Sequence, residues 1–292
     1  MEHILTQLWS ESASDQNPFE AEECLCAGYD VYGDLLLHAN WVDYLLLLIK
    51  KEQPSAEQTK LFNTLAIALA NPGPRDPSIQ AAMSAGAGGS TMASCLMAAI
   101  AVGAGNLGGA REVAIIMSTW QQLEFNPENW KQFLVGKVWQ EKPPHTFEDV
   151  WLPLEHPMGF NPNGVECPKP LKQTLKALSI ISPGKHLSWL NYNRCILESA
   201  SQLPISMTMI AAATFLDLGF HEEQGEMLFL LLRLPGAAAH ALEQREIGWK
   251  NYPFHKQGVV VTNDPSTSET NTKIQTKPSS NPNTELNPNE PA

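Results

Sequence analysis

The chain has 292 residues, 43% of them hydrophobic, and 19 basic against 31 acidic side chains give it a net charge of -12. That length and apolar content suffice for a buried core in one or two domains. The negative balance excludes a broad basic face for nucleic acid and disfavours anionic membranes, leaving only local basic pockets open.

The opening stretch, MEHILTQLWSESASDQ, lacks the basic start, continuous apolar run and small-residue cleavage site of a secretory signal, so a cytoplasmic location is expected. Cys24, Cys26, Cys95, Cys167 and Cys195 are odd in number and scattered, which fits reduced thiols better than a disulfide framework. Cys24 and Cys26 are too closely spaced for the usual zinc pair, and no metal is expected. Apolar residues at spacings of three and four then predict helices over 42–51 (VDYLLLLIKK) and 55–70 (SAEQTKLFNTLAIALA).

From Pro77 to Ala110 the chain carries no charge. The run is long enough for a membrane span, but Ala, Gly and Ser gain little in lipid, so no span is expected. Asp76 suits an N-cap and Pro77 a first helical turn, so one helix begins there. A second covers 90–103 with Met92, Leu96, Met97 and Ile100 on one face, and GAGNLGGA ends it. GxGxxG can be read at Gly103, Gly105 and Gly108, but it follows a helical run, and a dinucleotide loop requires a strand there.

Further helices are expected over 110–123 and 207–218, separated by Gly/Pro-rich breaks at 71–78, 142–144, 156–170 and 182–184. Convincing strand alternation is absent, and the predicted class is all-α. Residues 258–292 are rich in Asn, Pro, Thr, Ser and Glu, cannot repay their ordering entropy, and are expected to be disordered.

The ordered series GYDVYGDLLLHANWVDYLLLLIKK, NPGPRDPS, GNLGGA, EHPMGF, LPISMTMIAAATFLDLGF and RLPGAAAHALEQRE resembles the citrate synthase superfamily, within it the short citryl-CoA lyase branch. The resemblance covers about residues 10–255. It implies a large helical domain (1–72 and 205–257) and a small one (73–204), a cleft between them, and a dimer. It also implies chemistry that joins or cleaves a carbon–carbon bond between an acyl-CoA and an oxo acid. No cofactor would be held permanently; an acyl-CoA would be substrate or ligand.

Such chemistry needs a base for the α-proton and hydrogen-bond donors to the thioester and ketone oxygens. The resemblance implies an Asp base and two His donors. Only His156 is retained. Asn71 stands at the other His position and can still donate. Thr208 stands at the Asp position, where a hydroxyl is a poor acceptor for a carbon-bound proton. Asp217 lies nine residues further on, turned to the opposite helix face, and Asn193 carries no charge. Arg75 and Arg245 are candidate carboxylate holders, Lys169 with Lys172 nearby a CoA contact, and His240 is assigned to packing.

Two functions follow as expectations. One is a protein whose classical activity is lost or much reduced, binding a CoA ester or small carboxylic acid, or pairing with itself or an active homologue. The other is an active citryl-CoA lyase-like or citrate synthase-like enzyme using an unrecognised base.

Overall fold

Short polar residues start the helices. Asn40, Ser55, Asp76 and Thr91 each adopt extended backbone and accept from N–H groups of the following turn, satisfying donors that would otherwise be orphaned. In the computed structural model, which describes residues 5–135 and 156–253, these caps open α2 (Trp41–Lys50), α3 (Ala56–Leu69), α4 (Pro77–Ala87) and α5 (Met92–Gly103). A short π-helical turn, Val31–Leu35, runs into α1 (Leu36–His38) ahead of them. The remaining helices are α6 (Ala110–Leu123), α7 (Pro127–Val135), α8 (Lys169–Ile181), α9 (His186–Ser201), α10 (Met207–Asp217) and α11 (Glu222–Ile247).

The molecule is helical as expected, with one addition. An antiparallel three-stranded sheet, β1 (Ser10–Ala13), β2 (Ala21–Cys26) and β3 (Tyr29–Asp30), precedes the helices. Alternation could not reveal it because β1 is exposed along its length and β2 buries only Cys26 fully. Ala27 and Gly28, both at positive φ, form the two-residue turn between β2 and β3.

The main core surrounds α10, whose residues from Thr208 to Phe215 are all buried, as befits a helix apolar on every side. Leu61, Phe62 and Leu65 of α3, Val113, Met117 and Trp120 of α6, and Leu228 of α11 join it. A second cluster unites Ile79 and Ala82 of α4, Cys95 and Ala99 of α5, and Ala237 and Ala241 of α11. Here the uncharged run finds its role: small side chains let helices touch backbone to backbone. No helix of the described residues is long and apolar enough to cross a membrane. The expected disorder of 258–292 lies outside the described residues.

A Cβ added at Gly86 would lie 2.3 Å from the Ala241 carbonyl oxygen, a backbone atom that cannot swing aside. Alanine gains about 1 kcal/mol of helix propensity over glycine, yet Gly86→Ala is expected to destabilise the protein by about 1–3 kcal/mol through overpacking. Urea unfolding checks it, and a stabilised variant would contradict this contact.

Candidate functional site

Thr208 and His156 come together because two chain segments are stitched side by side. Gly159 O accepts from Ser206 N–H at 2.8 Å, Pro204 O accepts from Asn161 N–H at 2.8 Å, and Phe160 bridges to Ile205. Gly159 sits at φ +90°, and a Cβ there would lie 2.5 Å from Met209 Cε, so the turn presses on α10 just past Thr208. His156, at the start of this segment, is buried, as is Thr208, whose hydroxyl lies 2.6 Å from that of Ser206.

Between them stands a residue that sequence reasoning missed. Glu112, in the first turn of α6, is 1% exposed. One carboxylate oxygen accepts from Gly108 N–H and the other from Gly159 N–H, both at 2.6 Å. The first contact reaches back across the helix start in the manner of a capping box, where negative charge is also favoured. Burial pushes the carboxyl above its ordinary value, outweighing the two backbone bonds, the field of His156 and hydrogen bonding by Thr208. A signal was available: a carboxylate on the apolar face that α6 forms with Val113, Ile116, Met117 and Trp120.

Asn71 is exposed, in the loop between α3 and α4. Its Oδ1 accepts from Gly73 N–H and from His240 Nε2–H, each at 3.1 Å, which leaves the amide N–H groups as its outward donors. His240 thus does more than pack in the bundle. Arg233 on α11, nearly buried, donates to Gly108 O at 3.1 Å and pairs with the carboxylate of Asp76. Burial lowers the affinity of its guanidinium for the proton despite the pull of Asp76.

The other candidates lie apart. Arg75, Arg245 and Lys169 are exposed, and no hydrogen bond or ion pair among the described residues ties them to this cluster. Asn193 is buried in α9 and donates to Trp189 O. Asp217 accepts from Ser182 Oγ, His186 N and Leu187 N and lies 2.8 Å from His186 Nδ1, so it anchors the start of α9. A cavity of about 750 Å³ lies among α1, α2 and α3, lined by Asp34, His38, Trp41, Tyr44 and Lys60, and contains none of the predicted residues. No cluster of metal ligands occurs among the described residues.

Solved structures share this arrangement of helices. Citryl-CoA lyase from Hydrogenobacter thermophilus superposes with a TM-score of 0.66 at 17% identity, covering 90% of this chain and 96% of its own. The chain has the citrate synthase-like fold. ATP citrate lyase from Methanothrix soehngenii, in complex with citrate and coenzyme A, gives a TM-score of 0.68 at 17% identity over 95% of this chain and 44% of its own. Citrate synthase from Thermoplasma acidophilum, in a ternary complex with carboxymethyl coenzyme A and oxaloacetate, gives 0.59 at 15% identity over 81% and 60%. This chain therefore spans nearly all of the citryl-CoA lyase but less than two thirds of the other two. No protein-family model and no curated protein sequence matches it.

Within this fold the role of Asp217 can be checked by pH. Burial raises its proton affinity, but hydrogen bonds from His186, Ser182 and Leu187 outweigh burial and hold the carboxyl below its ordinary value. A depressed folded value stabilises the protein above the unfolded value and loses that contribution as pH falls through the folded one. Asp217→Asn is accordingly expected to cost about 1.5–3 kcal/mol at pH 7. The gap to the parent protein narrows in acid, as read from melting temperatures at pH 7 and pH 3; an equal gap at both would refute the assignment.

Proposed function

We propose that this protein binds a CoA ester or a related small carboxylic acid in a cleft bordered by the Asn71 and His156 loops, and that classical carbon–carbon chemistry is lost or much reduced. The observation that carries the reading is the state of Glu112, the carboxylate that meets Thr208 among the described residues. Glu112 is sealed from solvent with both oxygens engaged by backbone N–H groups. A general base must reach the proton it removes. The chemistry proposed for the site is hydrogen-bond donation, by the exposed Asn71 amide and, from the buried edge of the site, by the His156 ring, which suits recognition of carbonyl or carboxylate oxygens. Arg75, Arg245 and Lys169 are retained as candidate contacts for ligand carboxylates or phosphates that reach the surface.

Two domains and a paired state belong to the same proposal. The division at residues 73 and 205 is modified in one respect: α4 and α5 pack on α11, which favours placing the first boundary after α5. A second copy or an active homologue would meet the uncharged face where Met97 and Ile100 of α5 and Leu242 of α11 are exposed. A cytoplasmic location completes the reading.

The elevated proton affinity of Glu112 supports a second reading, an active lyase or synthase in which this carboxylate is the missing base. It requires one of the two glycine contacts to open. Thiol release from citryl-CoA, or from acetyl-CoA with oxaloacetate, separates the readings. The expected result is no release above background at high protein concentration, together with a rise in melting temperature with acetyl-CoA. Saturation at a hundredfold over Kd contributes about 2.7 kcal/mol, and His156→Ala is expected to remove the rise. Sustained turnover would replace the first reading with the second; indifference to every CoA ester would end both.

A further inference from the structure

We infer that Glu112 and Arg233 are positioning residues that hold the Asn71 loop and the His156 loop as one unit through the backbone of Gly108. The inference rests on the reading above only in taking those loops as the ligand-facing ones.

The Gly108 backbone is held through both of its polar groups. Its N–H donates to Glu112, and its carbonyl accepts from Arg233. From Glu112 the connection continues to Gly159 N–H, three residues past His156. From Arg233 it continues to Asp76, whose other oxygen accepts from Ser78 N–H at 2.9 Å, Ser78 Oγ at 2.5 Å and Ile79 N–H at 3.4 Å at the start of α4. Asp76 closes the loop that Asn71 opens, and Asp76 N–H donates to Gly73 O. The path thus runs from the Asn71 loop to α11, to the turn before α6, and into the segment carrying His156.

Charge gives this path its stiffness. Glu112 and Arg233 are both nearly buried, and hydrogen bonds to charged groups are stronger than neutral ones, while a buried charge stripped of partners is costly. The charged and titratable groups acting on Glu112 are His156 from the facing segment and, through Gly108, Arg233 of α11 and its partner Asp76; α10 presents the hydroxyl of Thr208. Neither Glu112 nor Arg233 has the exposure to serve as a main ligand contact.

Protonating Glu112 turns one acceptor oxygen into a donor facing an N–H, so the path breaks at a defined point. Burial raises the proton affinity of this carboxyl, which puts the break above the ordinary carboxylate range. The experiment follows the amide signals of Gly108 and Gly159 and the Asn71 side-chain amide by NMR in isotopically labelled full-length protein, without ligand, from pH 8 downward through the carboxylate range. The expected result is one shared midpoint for all three, abolished in Glu112→Gln. Arg233→Lys, which keeps the charge but not the fork, is expected to leave Gly108 and Gly159 moving together while Asn71 drops out.

Separate midpoints for the two glycines, an unmoved Asn71 amide in the parent protein, or survival of the shared transition in Glu112→Gln would each overturn the inference. Because no ligand is present, these outcomes are independent of the thermal-shift result that tests the binding reading. If both hold, Glu112→Gln weakens acetyl-CoA binding at least tenfold, read as the loss of shift at fixed ligand concentration.

Discussion

Removing the charge of a carboxylate from water is expensive unless its oxygens are met by donors, and at Glu112 this chain accepts that cost between two loops. Two backbone N–H groups, one from each of two separate loops, meet it. Neither loop can shift alone without leaving a buried oxygen short of a donor. The Gly159 turn has little room toward α10 either, because Met209 and Ile116 fill the space where a Cβ would stand. The positions of His156 and Thr208 follow from these constraints, since one begins the segment that Gly159 anchors and the other lies on the helix it presses against.

The uncharged run from Pro77 to Ala110 supplies the other half of the frame. Gly86 meets the backbone of Ala241, and Gly236 meets that of Ala70 and Asn71, so α11 lies directly against both α4 and the loop before it. Close approach of this kind requires small residues and tolerates no solvated side chain between the helices. It also explains why His240 reaches Asn71: the imidazole projects from α11 one turn beyond Gly236 and bonds the Asn71 side chain. The stretch that looked least chemical in the sequence is what brings the polar loop within reach of α11.

Much of the fold was legible because it is written in local signals. Caps such as Asp76 with Pro77, and apolar spacing in 42–51 and 55–70, marked helices that form close to the expected limits. The sheet was not legible, since β1 and β2 bury too little to impose alternation. Of the candidate site, His156 and Thr208 do converge, and Asn71 is joined to them through other residues. Arg75, Arg245 and Lys169 were read from charge alone, and charge alone does not distinguish a solvated side chain from one that faces a cleft. Glu112 and Arg233 escaped notice because their partners are backbone groups and residues far away in sequence. Arg233 and Asp76 are separated by more than half the chain.

The hydroxyl at position 208 and the carboxylate at position 112 are physically linked. Thr208 acts as a donor to Glu112 and lowers its proton affinity, working against burial. A carboxylate at 208 would do the opposite: two like charges in one buried volume push one of the pair toward the neutral form. It would have to turn away from Glu112, or Glu112 would have to protonate and release one of its glycine contacts. With threonine the two loops are clamped by a Glu112 that shares its buried volume with a hydroxyl donor and no second carboxylate. The same choice places a hydroxyl and not a carboxylate on α10 at this point, so the clamp on the two loops and the proposed loss of a general base share one cause.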